Sequence, residues 1–172
     1  MSRQFRMARP EDAPIVWEVL QQAIRRRKAD GSNQWQDGYP NPEVVSRDIE
    51  KGVGFVLTDG ELIVAYCAVL INDEPEYNRI QGKWLTNGDF VVVHRIAVSD
   101  DSLGKGMAVS LLGFIEEYAL HNHIFSIRAD TNFDNNAMLH IFIKLGFEYC
   151  GEVYFRGSAR KAFEKKLVLP AH

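Results

Sequence analysis

Two glycines, Gly104 and Gly106, stand between strand-type and helix-type residues in His94-Arg95-Ile96-Ala97-Val98-Ser99-Asp100-Asp101-Ser102-Leu103-Gly104-Lys105-Gly106-Met107-Ala108-Val109-Ser110-Leu111-Leu112. Glycine lets a backbone turn tightly and approach a ligand closely. The first amides of a helix have no intrahelical acceptor, and the helix dipole adds partial positive charge at the same place. A strand, a glycine turn and a helix start in that order read as a cradle for phosphate. Two familiar cradles do not fit the spacing. The P-loop needs GxxxxGK[ST], which is absent, and the dinucleotide fingerprint needs a third small residue where Val109 stands. A nucleotide-binding oxidoreductase is disfavoured on that ground.

His94 lies just before this stretch and carries a side chain that titrates near neutral pH, which makes it the first candidate for a general base. Asp89 is the carboxylate alternative, acting through water. His121, His123 and His140 lack metal-ligand spacing, so no metal is expected. Cys67 and Cys150 are far apart and form no CxxC, so buried free thiols are expected rather than a zinc site or a disulfide. Gln34, Trp35, Tyr39 and Trp84 sit in polar, Gly- and Pro-punctuated stretches. Aromatic side chains in such loops either line a ligand pocket or pack the loop onto the body.

The elements that must position these groups follow from periodicity. Gln4–Ala8 reads as a strand, and Arg9-Pro10-Glu11-Asp12 opens a helix that runs to about Lys28 on the spacing of Ile15, Val16, Val19, Leu20 and Ala23. Arg25-Arg26-Arg27-Lys28 reads as the solvated end of that helix, with a local role near an anionic ligand as the minor reading. Asn41 caps a second helix through Ile49 with Pro42 at its first position. Two strands follow from Val53, joined at Asp59-Gly60. Then come a polar stretch 72–87, a strand Asp89–Val98, a helix from about Gly106 to Leu120 and a strand Ile124–Ala129. A helix from about Asn135 to Leu145 and strands Phe147–Tyr154 and Lys161–Leu169 complete the order.

A second segment strengthens the first: Asp130-Thr131-Asn132-Phe133-Asp134-Asn135-Asn136-Ala137-Met138, followed by Phe142-Ile143-Lys144-Leu145-Gly146-Phe147. Together the two segments resemble the GNAT superfamily of N-acyltransferases. Its coenzyme A motif is Gln or Arg, two residues, Gly, one residue, then Gly or Ala. That pattern falls here on Leu103, Gly106 and Ala108, with Leu103 replacing the polar residue. The later segment is similar to the family's asparagine-bearing loop, helix and terminal Lys-Leu-Gly-Phe, and the element order from Gln4 to Leu169 matches as well.

The resemblance implies one N-acetyltransferase domain over residues 1–172, an α/β (α+β) fold. It predicts a mixed sheet of about seven strands with about four helices. The central strands, Asp89–Val98 and Ile124–Ala129, would splay apart and admit acetyl-coenzyme A. Main-chain groups of Leu103, Gly104, Lys105, Gly106, Met107 and Ala108 would hold its pyrophosphate, and those of Ile96, Ala97 and Val98 its acyl end. Asn132 and Asn135 would either bond the pantetheine arm or cap the helix. Many members protonate the leaving thiolate with a tyrosine four residues before the helix-ending glycine. Here that position is Phe142, so Tyr149, Tyr154 or water must substitute. The implied activity is transfer of an acetyl group to a primary amine of a small molecule or peptide. Leu103 and Phe142 motivate an alternative, an acyl-coenzyme A sensor with little or no turnover.

Composition agrees with an ordinary globular chain. The 172 residues are 46% hydrophobic and 25% charged, with a net charge of -3 and a pI near 6.0. Such a chain can bury a core without staples and lacks the basic surface that nucleic acid requires. There is no apolar run of spanning length and no signal-peptide core at the N-terminus, so a cytoplasmic protein without membrane partners is expected. The pattern leaves a homodimer open.

Overall fold

The computed structural model describes Ser2 to Val168, which form eight strands and four α-helices. The strands are β1 Arg3–Met7, β2 Gly54–Asp59, β3 Leu62–Ile71, β4 Gln81–Gly82, β5 Val91–Val98, β6 Ser126–Asn132, β7 Glu148–Phe155 and β8 Ser158–Lys166. The helices are α1 Ala13–Ala29, α2 Pro42–Glu50, α3 Met107–His121 and α4 Asn136–Lys144. They build one mixed sheet in the order β1-β2-β3-β5-β6-β8-β7-β4. β5 and β6 run parallel, whereas β1, β2 and β3 pair antiparallel in succession, as do β6, β8, β7 and β4.

Local chemistry explains the boundaries. Asp12 accepts from the Arg9 amide at 2.8 Å and from Arg6 Nη1 at 2.8 Å, which ties the start of α1 to β1. Asn41 caps α2 by accepting from the Val44 amide at 3.0 Å. The β2–β3 turn lies one residue later than expected. Asp59 still pairs with Leu62, so the two turn residues are Gly60 and Glu61, and only Gly60 takes a positive φ, +63°. A glycine in the first of two turn positions suits the primed hairpin turns.

Three expectations need correction. The polar stretch 72–87, read as irregular, contains the two-residue β4, which brings the expected sheet of about seven strands to eight. It pairs with β7 where Gly82 faces Gly151, and a Cβ on Gly82 would lie 2.1 Å from the Cys150 carbonyl oxygen. β6 ends at Asn132 rather than Ala129, because its polar end stays paired to β8 through Asn132↔Arg160 and Asp130 binds Arg160 Nε at 2.8 Å. β8 begins at Ser158 rather than Lys161, and Leu169, where the sequence reading ends it, lies outside the described residues.

The chain divides into two compact units. The first comprises the residues up to Val69 with His94–Leu112, and its core gathers Val16, Val19, Leu20, Ala23, Trp35, Val45, Val56, Tyr66 and Ala97. The second comprises Leu70–Val93 and the chain from Gly113 onward, with Tyr77, Val92, Val153 and Ala162 in its core. Among the described residues, no helix is long and apolar enough to cross a membrane.

Both cysteines are free and buried. Burial pushes the Cys67 thiol well up. Burial, then the Glu164 charge, push Cys150 up to about 11. Reactivity needs the thiolate and access to it. Native protein at pH 8 is therefore expected to give no rapid reaction with Ellman's reagent, and two thiols after guanidinium denaturation. A fast native equivalent would contradict the burial of one of them.

Candidate active site

The first unit carries the glycine loop. After β5, Ser99 donates its amide to the Val64 carbonyl at 2.9 Å, and one turn of 3-10 helix follows at Asp100–Ser102. Gly104 and Gly106 then take φ of +74° and +72°, and the Ser110 amide closes the first turn of α3 on the Gly106 carbonyl at 2.9 Å. Neither glycine is crowded, since a Cβ on either would meet nothing within 4 Å. Their backbone needs the left-handed region, which side chains disfavour, and their open face leaves the main chain accessible. Leu103 is exposed, so its side chain is no core anchor. With Lys105 beside it and the first amides of a fifteen-residue helix behind it, this loop fits a pyrophosphate.

β5 is braced at its far half by arginines. Arg26 donates to the Val98 carbonyl at 2.6 Å and pairs with Asp100. Asp100 thereby has its charge matched before the loop begins, and its amide donates to Gln22 Oε1 at 2.8 Å. Arg27 reaches the Ile96 carbonyl at 3.4 Å and lies 3.8 Å over the Trp35 ring. The basic run at the end of α1 is therefore not simply a solvated end. Two of its members hold the strand whose main chain the resemblance assigns to the acyl group, and the carbonyls of Ile96 and Val98 accept from them.

In the middle of β5, Arg95 is a non-glycine residue at φ +56°. Its Nε donates to Asp48 Oδ2 at 2.9 Å, its Nη2 to Asp48 Oδ1 at 2.7 Å, and its Nη1 to the Tyr39 hydroxyl at 2.5 Å. The Tyr66 hydroxyl donates to Asp48 Oδ2 at 2.6 Å. Burial would push the Arg95 guanidinium down, but the charges and hydrogen bonds of Tyr39 and Asp48 more than offset this and hold it further up. Burial, then Asp48, push the Tyr66 hydroxyl far up, so it stays a donor. His94, the candidate base, is half-buried beside Arg95.

The acceptor-side candidates divide. Trp35 is 5% exposed, belongs to the core and carries Arg27 on its face. Gln34 is buried too, with its amide donating to Ser32 Oγ at 3.1 Å. Tyr39 is half-buried and bound to Arg95. A cleft of about 470 Å³ opens beside them, lined by Trp17, Gln21, Ile24 and Arg25 of α1 and by Trp35, Gln36 and Pro40 of the loop.

The second unit holds the remaining candidates. Asp89 accepts from Asn72 Nδ2 at 3.0 Å and lines a separate cleft of about 210 Å³ with Thr86 and His123. Trp84 donates its indole N–H to the Tyr77 carbonyl at 2.9 Å and lies under Arg128, so it packs the loop to its own body. Asn135 caps α4, accepting from the Met138 amide at 3.2 Å, and Asn132 Nδ2 donates to Asp134 at 3.1 Å. Phe142 is 1% exposed, with its ring 5.1 Å from Phe147 and 5.3 Å from Phe163. Tyr149 is 56% exposed, edge-on to Phe163. The parallel ladder of β5 and β6 covers only Val91–Val93 with Ile127–Ala129.

Sequence reasoning missed Asp48, Tyr66 and Arg95. A charged residue inside the apolar run Val91-Val92-Val93-His94-Arg95-Ile96-Ala97-Val98 was the available signal, since a half-buried arginine needs an acid.

Comparison with known proteins identifies the family. The model of the acetyltransferase (GNAT) family matches residues 17–147. The uncharacterized N-acetyltransferase YesJ of Bacillus subtilis (strain 168) is 27% identical over 161 residues, which is 91% of this chain and 86% of that protein. A GNAT-family acetyltransferase from Streptococcus agalactiae 2603 is 33% identical, with a TM-score of 0.89 over 97% of this chain and 96% of its own. Streptothricin acetyltransferase of Escherichia coli is 33% identical over 66 residues, 38% of each chain.

Proposed function

The chain belongs to the acetyltransferase (GNAT) family, and from that premise we propose that it transfers an acetyl group from acetyl-coenzyme A to a primary amine of a small molecule or peptide. The observation that carries the donor assignment is the loop Leu103–Ala108, whose two left-handed glycines open the main chain ahead of α3. In this reading one acetyltransferase domain spans 1–172 and works in the cytoplasm, with which two buried free thiols are compatible.

Bound acetyl-coenzyme A supplies an activated thioester. The amide N–H groups of Gly104 to Ala108 hold the pyrophosphate, with Lys105 adding charge. Main-chain groups of Ile96–Val98 would hold the acyl end. The amine must arrive uncharged, and His94 removes its proton directly or through one water, the role that an imidazole suits at neutral pH. Transfer of the acetyl group to that amine would release the coenzyme as a thiolate, which needs a proton. Phe142 has no proton to give it and is core. Tyr149, exposed and accessible, or water protonates the thiolate. Asn132 remains the arm contact in this proposal. Asn135 serves chiefly as a cap, and Asp89 is kept only as the alternative base. Trp35 shapes the acceptor side as a wall.

The test is thiol release. With acetyl-coenzyme A and a panel of amines, including amino acids, aminoglycosides and short peptides, at least one is expected to release free thiol above the hydrolysis background. His94→Ala is expected to lower kcat by about 100-fold, the usual scale of general-base catalysis. Binding without release on any amine would select the sensor reading. No binding at all would remove the donor assignment.

A further inference from the structure

We propose that Asp48, Arg95 and Tyr39 form a positioning clamp that sets the backbone of β5 beside the glycine loop, so that the 30–41 loop and acetyl-coenzyme A binding are energetically coupled. The inference rests on the donor reading above. None of the three residues belongs to the phosphate loop, and all lie in the first unit.

The starting observation is a strained residue at a useful place. Left-handed backbone at an arginine is uncommon and persists only where the surroundings over-determine it. Here they do. The guanidinium fork meets both Asp48 oxygens, the planar arrangement that carboxylates accept best from arginine. The side chains are 13% and 7% exposed, so solvent does little to loosen the pair. Tyr66 fills a further site on Asp48, and a Cβ on Gly54 would come 2.9 Å from the Tyr66 hydroxyl, so the surrounding packing leaves little slack.

A residue at positive φ interrupts the alternation of a strand, and the direction of its neighbours depends on its being held there. The neighbours are His94 and Ile96. Beyond them Arg27 and Arg26 hold the carbonyls of Ile96 and Val98. The loop is tied to the same strand directly by Tyr39 to Arg95, and through α1 by Trp35 beneath Arg27, whose guanidinium reaches the Ile96 carbonyl. A ligand that orders either the loop or the strand therefore changes the other, and such coupling is reciprocal. A buried ion pair is weak support for stability as such, which leaves geometry as its stronger consequence.

The experiment is a double-mutant cycle in the full chain, with two readouts. Asp48→Asn is expected to weaken acetyl-coenzyme A binding by calorimetry at least about tenfold, and Tyr39→Phe by about threefold. The double variant should be no weaker than Asp48→Asn alone, because both act through Arg95. Arg95→Lys, which keeps charge without the fork, should fall between wild type and Asp48→Asn. Asp12→Asn, which breaks the pair with Arg6 in the same unit, controls for lost stability and should bind normally. The second readout needs no ligand: amide hydrogen exchange in peptides covering 94–103 should quicken about tenfold in Asp48→Asn and not in Asp12→Asn. Unchanged exchange there, additive losses in the cycle, or equal weakening by Asp12→Asn overturns the clamp. Faster exchange in Asp48→Asn, combined with a wild type that binds no acetyl-coenzyme A, overturns the donor reading and the coupling to it, and is distinguishable from those outcomes.

Discussion

Gly106→Trp is expected to lower acetyl-coenzyme A affinity at least about 100-fold in calorimetry, or about 2.7 kcal/mol. Two effects add. A side chain at φ +72° meets the steric penalty of left-handed backbone, about 1–2 kcal/mol. The indole then projects into the space that stands open above the loop, where the proposal seats the pyrophosphate. Gly106→Ala separates them, since it carries the strain without the bulk, and it should lose only part of the affinity. The melting temperature should fall modestly in both, because the loop buries nothing at that position. Wild-type affinity in Gly106→Trp would move the pyrophosphate elsewhere.

Glu164→Ala is expected to cost about 3–5 kcal/mol in urea unfolding, the range for removing one partner of a buried ion pair. Glu164 is 0% exposed on β8. It accepts from the Leu85 amide at 2.8 Å and from the hydroxyls of Thr86 and Ser126, and Arg128 Nε lies 3.4 Å away. The alanine would leave a nearly buried guanidinium without its counter-charge and three donors without an acceptor. Against a typical total of about 5–15 kcal/mol, that is a large share. Glu164→Gln keeps an acceptor oxygen and should lose less. A loss under about 1 kcal/mol for the alanine would mean that water enters and satisfies the group.

Much of this was legible in the chain. Helical spacing of Val16, Val19, Leu20 and Ala23 gave α1, Asn41-Pro42 gave the start of α2, and Gly104-x-Gly106 before an apolar run marked the loop, because each depends on neighbours within a few residues. What depends on remote partners was not. Gln81-Gly82 has no alternation to betray a strand, and it pairs only because Gly151 stands across from it. Trp35 and Tyr39 read as lining a pocket or packing the loop, and the partners that hold them, Arg27 at the end of the preceding helix and Arg95 on a remote strand, carried no local signal. The arginine run at the end of α1 gave no hint that two of its members reach β5. Asn132 and Asn135 were balanced between cap and ligand, and Asn135 does cap α4, accepting from the Met138 amide.

The glycine pair of β4 and β7 bears on assembly. A Cβ on Gly151 would lie 2.3 Å from the Gln81 carbonyl oxygen, as one on Gly82 would lie 2.1 Å from that of Cys150, so neither position can change alone. β4 stands last in the sheet and covers β7 only at Gly151 and Glu152, while the β7–β8 register shifts between Tyr149 and Gly151. A strand arriving from another molecule at this margin would meet a ladder already occupied at its middle and kinked beside it. Short edges and bulges are how sheets discourage such additions, and this border, closed over a pair of glycines, carries both.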